Sequence, residues 1–244
     1  MSGAKHWLTP DWPAPANVHA ATTLRNGGFS CGAYASLNPA MHVGDDVDSV
    51  RQNRQLIKAS LALPGSPVWL DQVHSNRAVQ ALKHEALQQA DASYTSESGV
   101  VCAVMTADCL PLLVCTADGS QVAAIHAGWR GLLAGVIGNT ITAMKNTDVL
   151  VWLGPAIGPE CFEVGAEVRT AFLDKSTAFI TAFKQQHNGK WLADIYQLAR
   201  IDLAMLGINK VYGGGFCTVT EAERFYSYRR DKQTGRMATL IWRA

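Results

Sequence analysis

The chain has 244 residues, 48% of them hydrophobic and 17% charged, with a formal net charge of +1. That balance fits a globular chain able to bury a sizeable core, and it excludes a disordered or low-complexity polypeptide. The near-neutral charge gives no general attraction to nucleic acid or acidic membranes, and the longest apolar run, 100–105, is too short to span a bilayer.

In chain order, the proline-rich start (Pro10, Pro13, Pro15) reads as an extended arm over 1–17. Turn residues fill 18–45. The spacing of Val50, Leu56, Ile57 and Leu61 predicts a helix over 47–61. Short strands are expected at 68–70 and 78–82, and a buried strand at 100–105. A hairpin follows over 111–125. Leu132, Leu133, Val136, Ile137, Thr140 and Met144 predict one helix over 129–144. A strand at 149–153 stops at G-P-A-I-G-P. Helices are expected at 164–173 and 194–206, the second capped by Asp194. Strands are expected at 208–212, 224–228 and 237–242, the last two as a hairpin. Strands and helices mix without strict alternation, so the expected fold is one compact domain of mixed α/β or α+β class spanning 1–244. The first residues lack a secretory apolar region. The six cysteines, at 31, 102, 109, 115, 161 and 217, include no C-x-x-C pair. Both features predict a cytoplasmic location.

The hairpin carries the chemistry. Asp118-Gly119 between two apolar runs predicts a type I′ turn, with Ala117 paired to Ser120 and paired numbers totalling 237. His126 then lies opposite Pro111, and Cys109 shares its face on the diagonal, about 7–8 Å away by backbone. A soft thiolate and an imidazole converging on one point make half a metal site or a nucleophile–base pair. His74, in the polar loop D-Q-V-H-S-N-R after a strand, is a third candidate. Three protein ligands with an open fourth position is the pattern of catalytic zinc, whereas structural zinc is closed by four.

T-A-D-C-L-P followed by H-A-G-W-R-G closely resembles the bacterial laccase-domain family, variously called polyphenol oxidase, purine nucleoside phosphorylase and peptidoglycan editing factor. The likeness covers nearly the whole chain. It takes in T-x-R-x-G-G-x-S at 23–30, H-V-G-D at 42–45, Q-V-H at 72–74, A-D-A at 90–92, L-G-P-A-I-G-P at 153–159 and F-Y-S-Y-R-R-D-K-Q-T-G-R-M-A at 225–238. The resemblance implies two mixed β-sheets forming a sandwich with helices on the outside, and a monomer. It assigns the catalytic and metal-binding roles to His74, Cys109 and His126.

The resemblance carries three activities. One is phosphorolysis of adenosine, inosine and methylthioadenosine with adenosine deamination, at a zinc site. The second is hydrolytic removal of L-Ser from a UDP-linked muramyl precursor, for which Cys109 with a histidine base is a metal-free alternative. The third is copper-dependent phenol oxidation. It ranks lowest, because several coppers need many imidazoles and the chain has seven His and no H-x-H. A single His–Cys–His copper with Met105 as axial ligand is the form that copper binding would take. Phosphorolysis needs an anion site. Arg130 is the leading candidate, beside His126 at a helix start. Arg25, Arg51, Arg229 and Arg230 are further candidates. His42, Asp45, Asn38 and Tyr226 are expected to line the substrate pocket. Asp108 is a candidate base or a structural carboxylate. The expected partners are a purine nucleoside and phosphate, with no nucleic acid and no membrane.

Overall fold

Each apolar strand at the centre of this protein sends alternate side chains to two different cores, and that period of two builds the layers. A computed structural model describes residues 6–83 and 86–244. One sheet has five strands, in the order Trp7–Leu8, Val18–Thr23, Met237–Arg243, Val101–Thr106, Pro67–Val68. The other has six, in the order Val211–Gly213, Val149–Leu153, Leu110–Thr116, Val122–Ala127, Ala92–Thr95, Ala78–Gln80. Both sheets are mixed, since Pro67–Val68, Val211–Gly213 and Ala78–Gln80 each join by a parallel pairing.

Leu113, Cys115, Val122, Ala124, Leu150 and Trp152 of the six-stranded sheet pack against Cys102, Val104 and Ile241 of the five-stranded one. The opposite set, including Leu112, Val114, Ile125, Val149 and Val151, packs beneath helices. The helices are α1 (Val47–Ser60), α2 (Trp129–Ala134), α3 (Val136–Met144), α4 (Ala166–Lys175), α5 (Ile195–Met205) and the single turn α6 (Tyr228–Asp231). Helices α2 to α5 cover the six-stranded sheet, while Leu56 and Ile57 of α1 cover Val101, Ala103 and Leu240 on the other side. The result is the mixed α/β domain expected, two sheets with helices outside. Asp46 and Asp194 cap α1 and α5 by accepting from Ser49 N and Gln197 N. Among the described residues, no helix is long and apolar enough to cross a membrane.

Several elements differ from expectation. The hairpin register is the expected one, with His126 opposite Pro111. Its turn is not type I′: Gly119 N donates to Thr116 O and only Gly119 has positive φ, so the left-handed residue follows the turn rather than both central residues being left-handed. The single helix over 129–144 is two, because Gly135 at φ +88° ends α2 and begins α3. The helix expected from 164 starts at Ala166, since Val164 pairs with Trp191 in a small sheet. The hairpin over 224–242 does not form. Phe225 and Tyr226 are fully buried in irregular backbone, Tyr228–Asp231 is helical, and Met237–Arg243 pairs with Val18–Thr23 and Val101–Thr106 instead. A short apolar run reports burial without reporting a strand. Of the expected arm, Trp7–Leu8 is an edge strand and residues 1–5 lie outside the described residues.

Candidate metal centre and active-site cavity

His126 has the parity of Val122 and Ala124, so it faces the space between the sheets, at the end where the strands leave it. The chain crosses from one sheet to the other between Thr106 and Leu110, and Cys109 stands in that bend. His74 follows the Leu70–Asp71 strand, which runs parallel to Gln88–Gln89, so the loops at 72–75 and 90–91 emerge together. One donor atom each from His74, Cys109 and His126 lies within 4.8 Å of the others, the sole such group among the described residues. Cys109 Sγ is 3.7 Å from His74 Nε2. The two imidazoles meet edge to face at 4.8 Å between centroids.

A residue that sequence reasoning passed over organises this group. Asp91 lies one step beyond the Ile125–Ala92 pair, so register sets it beside His126. Its buried carboxylate accepts from His126 Nδ1 at 2.7 Å, from the backbone N of Val73, His74 and Ser75 at 3.3, 3.0 and 2.6 Å, and from Ser75 Oγ at 2.7 Å. An ionised carboxylate only accepts, so Nδ1 carries a proton, and Nε2 is the His126 atom left to face the cavity, where it would offer a lone pair once a metal displaced its own proton. The same carboxylate fixes the backbone of His74, which holds φ +60°. Burial pushes Asp91 up, but the bonds from His126 and Ser75 outweigh it and hold the carboxyl at about 2. Burial likewise pushes the Cys109 thiol up. The His126 and His74 imidazoles reverse this and bring it down to about 6. His126 moves oppositely: burial lowers it, while the Cys109 thiolate and Asp91 raise it to about 9. The metal-free site is therefore a thiolate–imidazolium pair backed by a carboxylate.

The group fits a metal ion. A thiolate and two imidazoles are borderline-soft donors suited to zinc or copper. Gly128 closes the rear: a Cβ there would stand 2.9 Å from His74 Cδ2 and 3.0 Å from Cys109 Sγ, so glycine lets backbone and ligands approach. The front faces a cavity of about 410 Å³. Its walls include Trp129, Ile157, Phe162, Ile195 and Tyr228, with His42, Arg130, Arg229 and Arg236 as basic groups. Among the described residues the one carboxylate in the lining, Asp108, is engaged by Thr218 Oγ1 and Arg229 N, each at 2.6 Å. The cavity is apolar-walled and cationic.

Residues 19–244 match the family model described as multi-copper polyphenol oxidoreductase laccase. The chain belongs to the multi-copper polyphenol oxidoreductase laccase family. Within it, the chain is 51% identical over 238 residues to the purine nucleoside phosphorylase YfiH of Escherichia coli, covering 96% of this chain and 98% of that one. It is 51% identical over 239 residues to the purine nucleoside phosphorylase PA4543 of Pseudomonas aeruginosa, covering 97% and 98%. The crystal structure of Neisseria meningitidis protein NMB0706 superposes with a TM-score of 0.95 at 51% identity, over 98% of this chain and 99% of that one. YlmD from Geobacillus stearothermophilus superposes with a TM-score of 0.91 at 31% identity, over 100% and 98%.

In this laccase-family protein the residues picked out from the sequence divide by position. His42 and Arg130 line the cavity with the His–Cys–His group. Among the described residues the Arg130 side chain has no hydrogen-bond partner, and it stacks on Trp129 at 4.3 Å. Asn38, Asp45 and Arg25 do not line it. Asn38 is fully buried, bonding Ala40 and Asp45 and accepting from Arg236 N at 3.0 Å. Asp45 accepts from Ser30 Oγ and Asn38 Nδ2. Arg25 donates to the carbonyls of Ala35 and Ala222 and covers the Tyr226 ring. These three side chains are committed to holding loops. Of the other residues considered, Met105 and Arg229 line the cavity, while Arg51 pairs on the surface with Asp48 and Arg230 binds the carbonyls of Thr218, Val219 and Phe225. Arg236 was not foreseen, because only the tertiary path of 234–236 brings it to the cavity.

Proposed function

We propose that the protein is a purine nucleoside phosphorylase with adenosine deaminase activity, acting on adenosine, inosine and methylthioadenosine at a metal held by His74, Cys109 and His126. The observation that carries the reading is the pairing of a three-donor group, open on one side, with an apolar-walled cationic cavity of about 410 Å³. Flat apolar walls suit a purine ring, and guanidinium groups suit phosphate. The names of the relatives at about half identity point the same way.

A bound zinc ion supplies Lewis acidity and lowers the pKa of a water ligand toward about 7. The residues of this chain supply the rest. Asp91 keeps the proton on His126 Nδ1 and so keeps Nε2 available as a donor. Trp129, Phe162 and Tyr228 shield the base from water. In phosphorolysis a phosphate oxygen bonds to the anomeric carbon as the bond to the purine nitrogen breaks, giving ribose 1-phosphate and free base. Arg130, Arg229 and Arg236 neutralise the phosphate during that exchange. Deamination exchanges an amino group for the oxygen of water and needs no phosphate.

The test is metal analysis of protein purified without chelator, with turnover of adenosine and inosine measured with and without phosphate. Cys109→Ala should lose both metal and turnover. Arg130→Ala should raise the phosphate KM and leave deamination nearly intact, whereas equal losses in both reactions would make Arg130 a structural residue. One observation favours a second reading: Cys109, His126 and Asp91 stand in the order of a Cys–His–Asp relay. In that arrangement thiolate chemistry on an amide, such as release of serine from a muramyl precursor, needs no metal. Full activity of chelator-treated protein, abolished by iodoacetamide, selects it. Stoichiometric copper with phenol turnover selects the oxidase.

A further inference from the structure

Two cysteines outside the His–Cys–His group meet behind the cavity wall. Cys161 lies in the turn after G-P-A-I-G-P, and Cys217 in the loop after the Val211–Gly213 strand; both are half-buried. They converge on Gly158. Its N–H donates to Cys217 Sγ at 3.3 Å, and its carbonyl accepts from Cys161 N at 3.0 Å. A Cβ on Gly158 would stand 2.9 Å from Cys217 Cβ and 3.0 Å from its Sγ, so the bare glycine makes room for the thiol. Gly158 thus stands between the Cys161 backbone and the Cys217 thiol, and burial, together with the neighbouring Cys217 thiol, pushes the Cys161 thiol up. The buried pair Cys102 and Cys115 is closed to solvent, and the metal group uses neither Cys161 nor Cys217.

We propose that Cys161 and Cys217 form a reversible dithiol–disulfide pair, a redox modification site separate from the metal centre. With a small-molecule disulfide such as oxidised glutathione as oxidant, one protein thiolate attacks and expels a glutathione thiolate. The second protein thiol then attacks the mixed disulfide and expels the other. The protein loses two hydrogens and gains one S–S bond, and two glutathione thiols are produced. Contact with Gly158 N, Thr220 and Val219 favours the Cys217 thiolate over its burial, which fits Cys217 as the attacking sulfur. Cys161 then resolves it.

The position gives the bond a reach into the site. Thr218, next to Cys217, donates to Asp108 at 2.6 Å, and Asp108 precedes Cys109 at φ +89°. Phe162, next to Cys161, is part of the cavity wall. A bond between the two sulfurs ties those two walls together.

The test uses the zinc-loaded full-length protein, treated with oxidised glutathione, blocked with iodoacetamide and digested with trypsin without reduction. The expected product joins the peptide 146–169 to the peptide 211–224, two hydrogens lighter than the pair and separated by dithiothreitol. Cys161→Ser should convert the product into a glutathione adduct on Cys217. Recovery of both peptides alkylated or separately glutathionylated in the wild type would overturn the proposal. So would a link from either cysteine to Cys109 in place of the expected one.

Discussion

Replacing Asp91 by Asn tests whether one carboxylate assembles both histidines. The change is nearly isosteric, so its effect is electronic. If the new amide nitrogen takes the Oδ2 position, the N–H groups of Val73 and Ser75 face a donor. If it takes the Oδ1 position, His74 N faces a donor and His126 must move its proton to Nε2, withdrawing the lone pair offered to a metal. A buried donor left unpaired costs roughly 1–3 kcal/mol, so two of them place the loss near 3 kcal/mol. The Asp91 pKa gives a second measure: a fall from 3.8 to about 2 corresponds to about 2–3 kcal/mol of native-state preference for the ionised form. Because the folded pKa is depressed, that stability is present above about pH 4 and is lost as pH falls toward 2. Urea unfolding of metal-free protein at neutral pH should show Asp91→Asn less stable by roughly 3 kcal/mol, with a flatter profile between pH 4 and 2. Zinc affinity, measured by competition with a chelating dye, should fall about 10–100-fold. Wild-type stability together with wild-type zinc affinity would refute the reasoning.

Gly128→Ala should weaken zinc binding by about tenfold or more with little change in Tm, since its φ of −64° suits alanine and only the approach of His74 and Cys109 is obstructed. Arg25→Ala should destabilise the fold by roughly 2–4 kcal/mol through lost bonds to Ala35 and Ala222 and lost cover on Tyr226, while zinc affinity stays at the wild-type value. A selective loss of nucleoside affinity would instead restore Arg25 to the pocket. In metal-free protein, alkylation of Cys109 by iodoacetamide should level off by about pH 7, because the thiol sits at about 6, and added zinc should suppress it. A rate still climbing steeply between pH 7 and 8 counts against the thiolate–imidazolium pair.

The sequence by itself determined what depends on near neighbours. The hairpin register follows from Asp118-Gly119 between apolar runs; a slip of one residue would swap Val122 and Ala124, which face the other sheet, with Ala123 and Ile125, which face the helices, and would turn His126 away from the space between the sheets. Cys109 stands in the bend just before the paired stretch, so the crossover between the sheets brings it to His126. Helices α1 and α5, with their aspartate caps, follow from spacing and cap chemistry in the same way. The tertiary structure decided what depends on distant partners. Phe225 and Tyr226 are apolar enough for a strand, yet the Tyr226 hydroxyl bonds Tyr34 O and its N–H goes to Met237 Sδ, so no strand forms there. Asn38, Asp45 and Arg25 look like pocket residues because polar side chains in glycine-rich loops often are. Only the folded path of 25–45 shows their bonding capacity already used. Asp91 stood in the A-D-A motif with no role assigned, for the converse reason: its two histidines lie 17 and 35 residues away, and a carboxylate gains meaning only from the donors a fold aims at it.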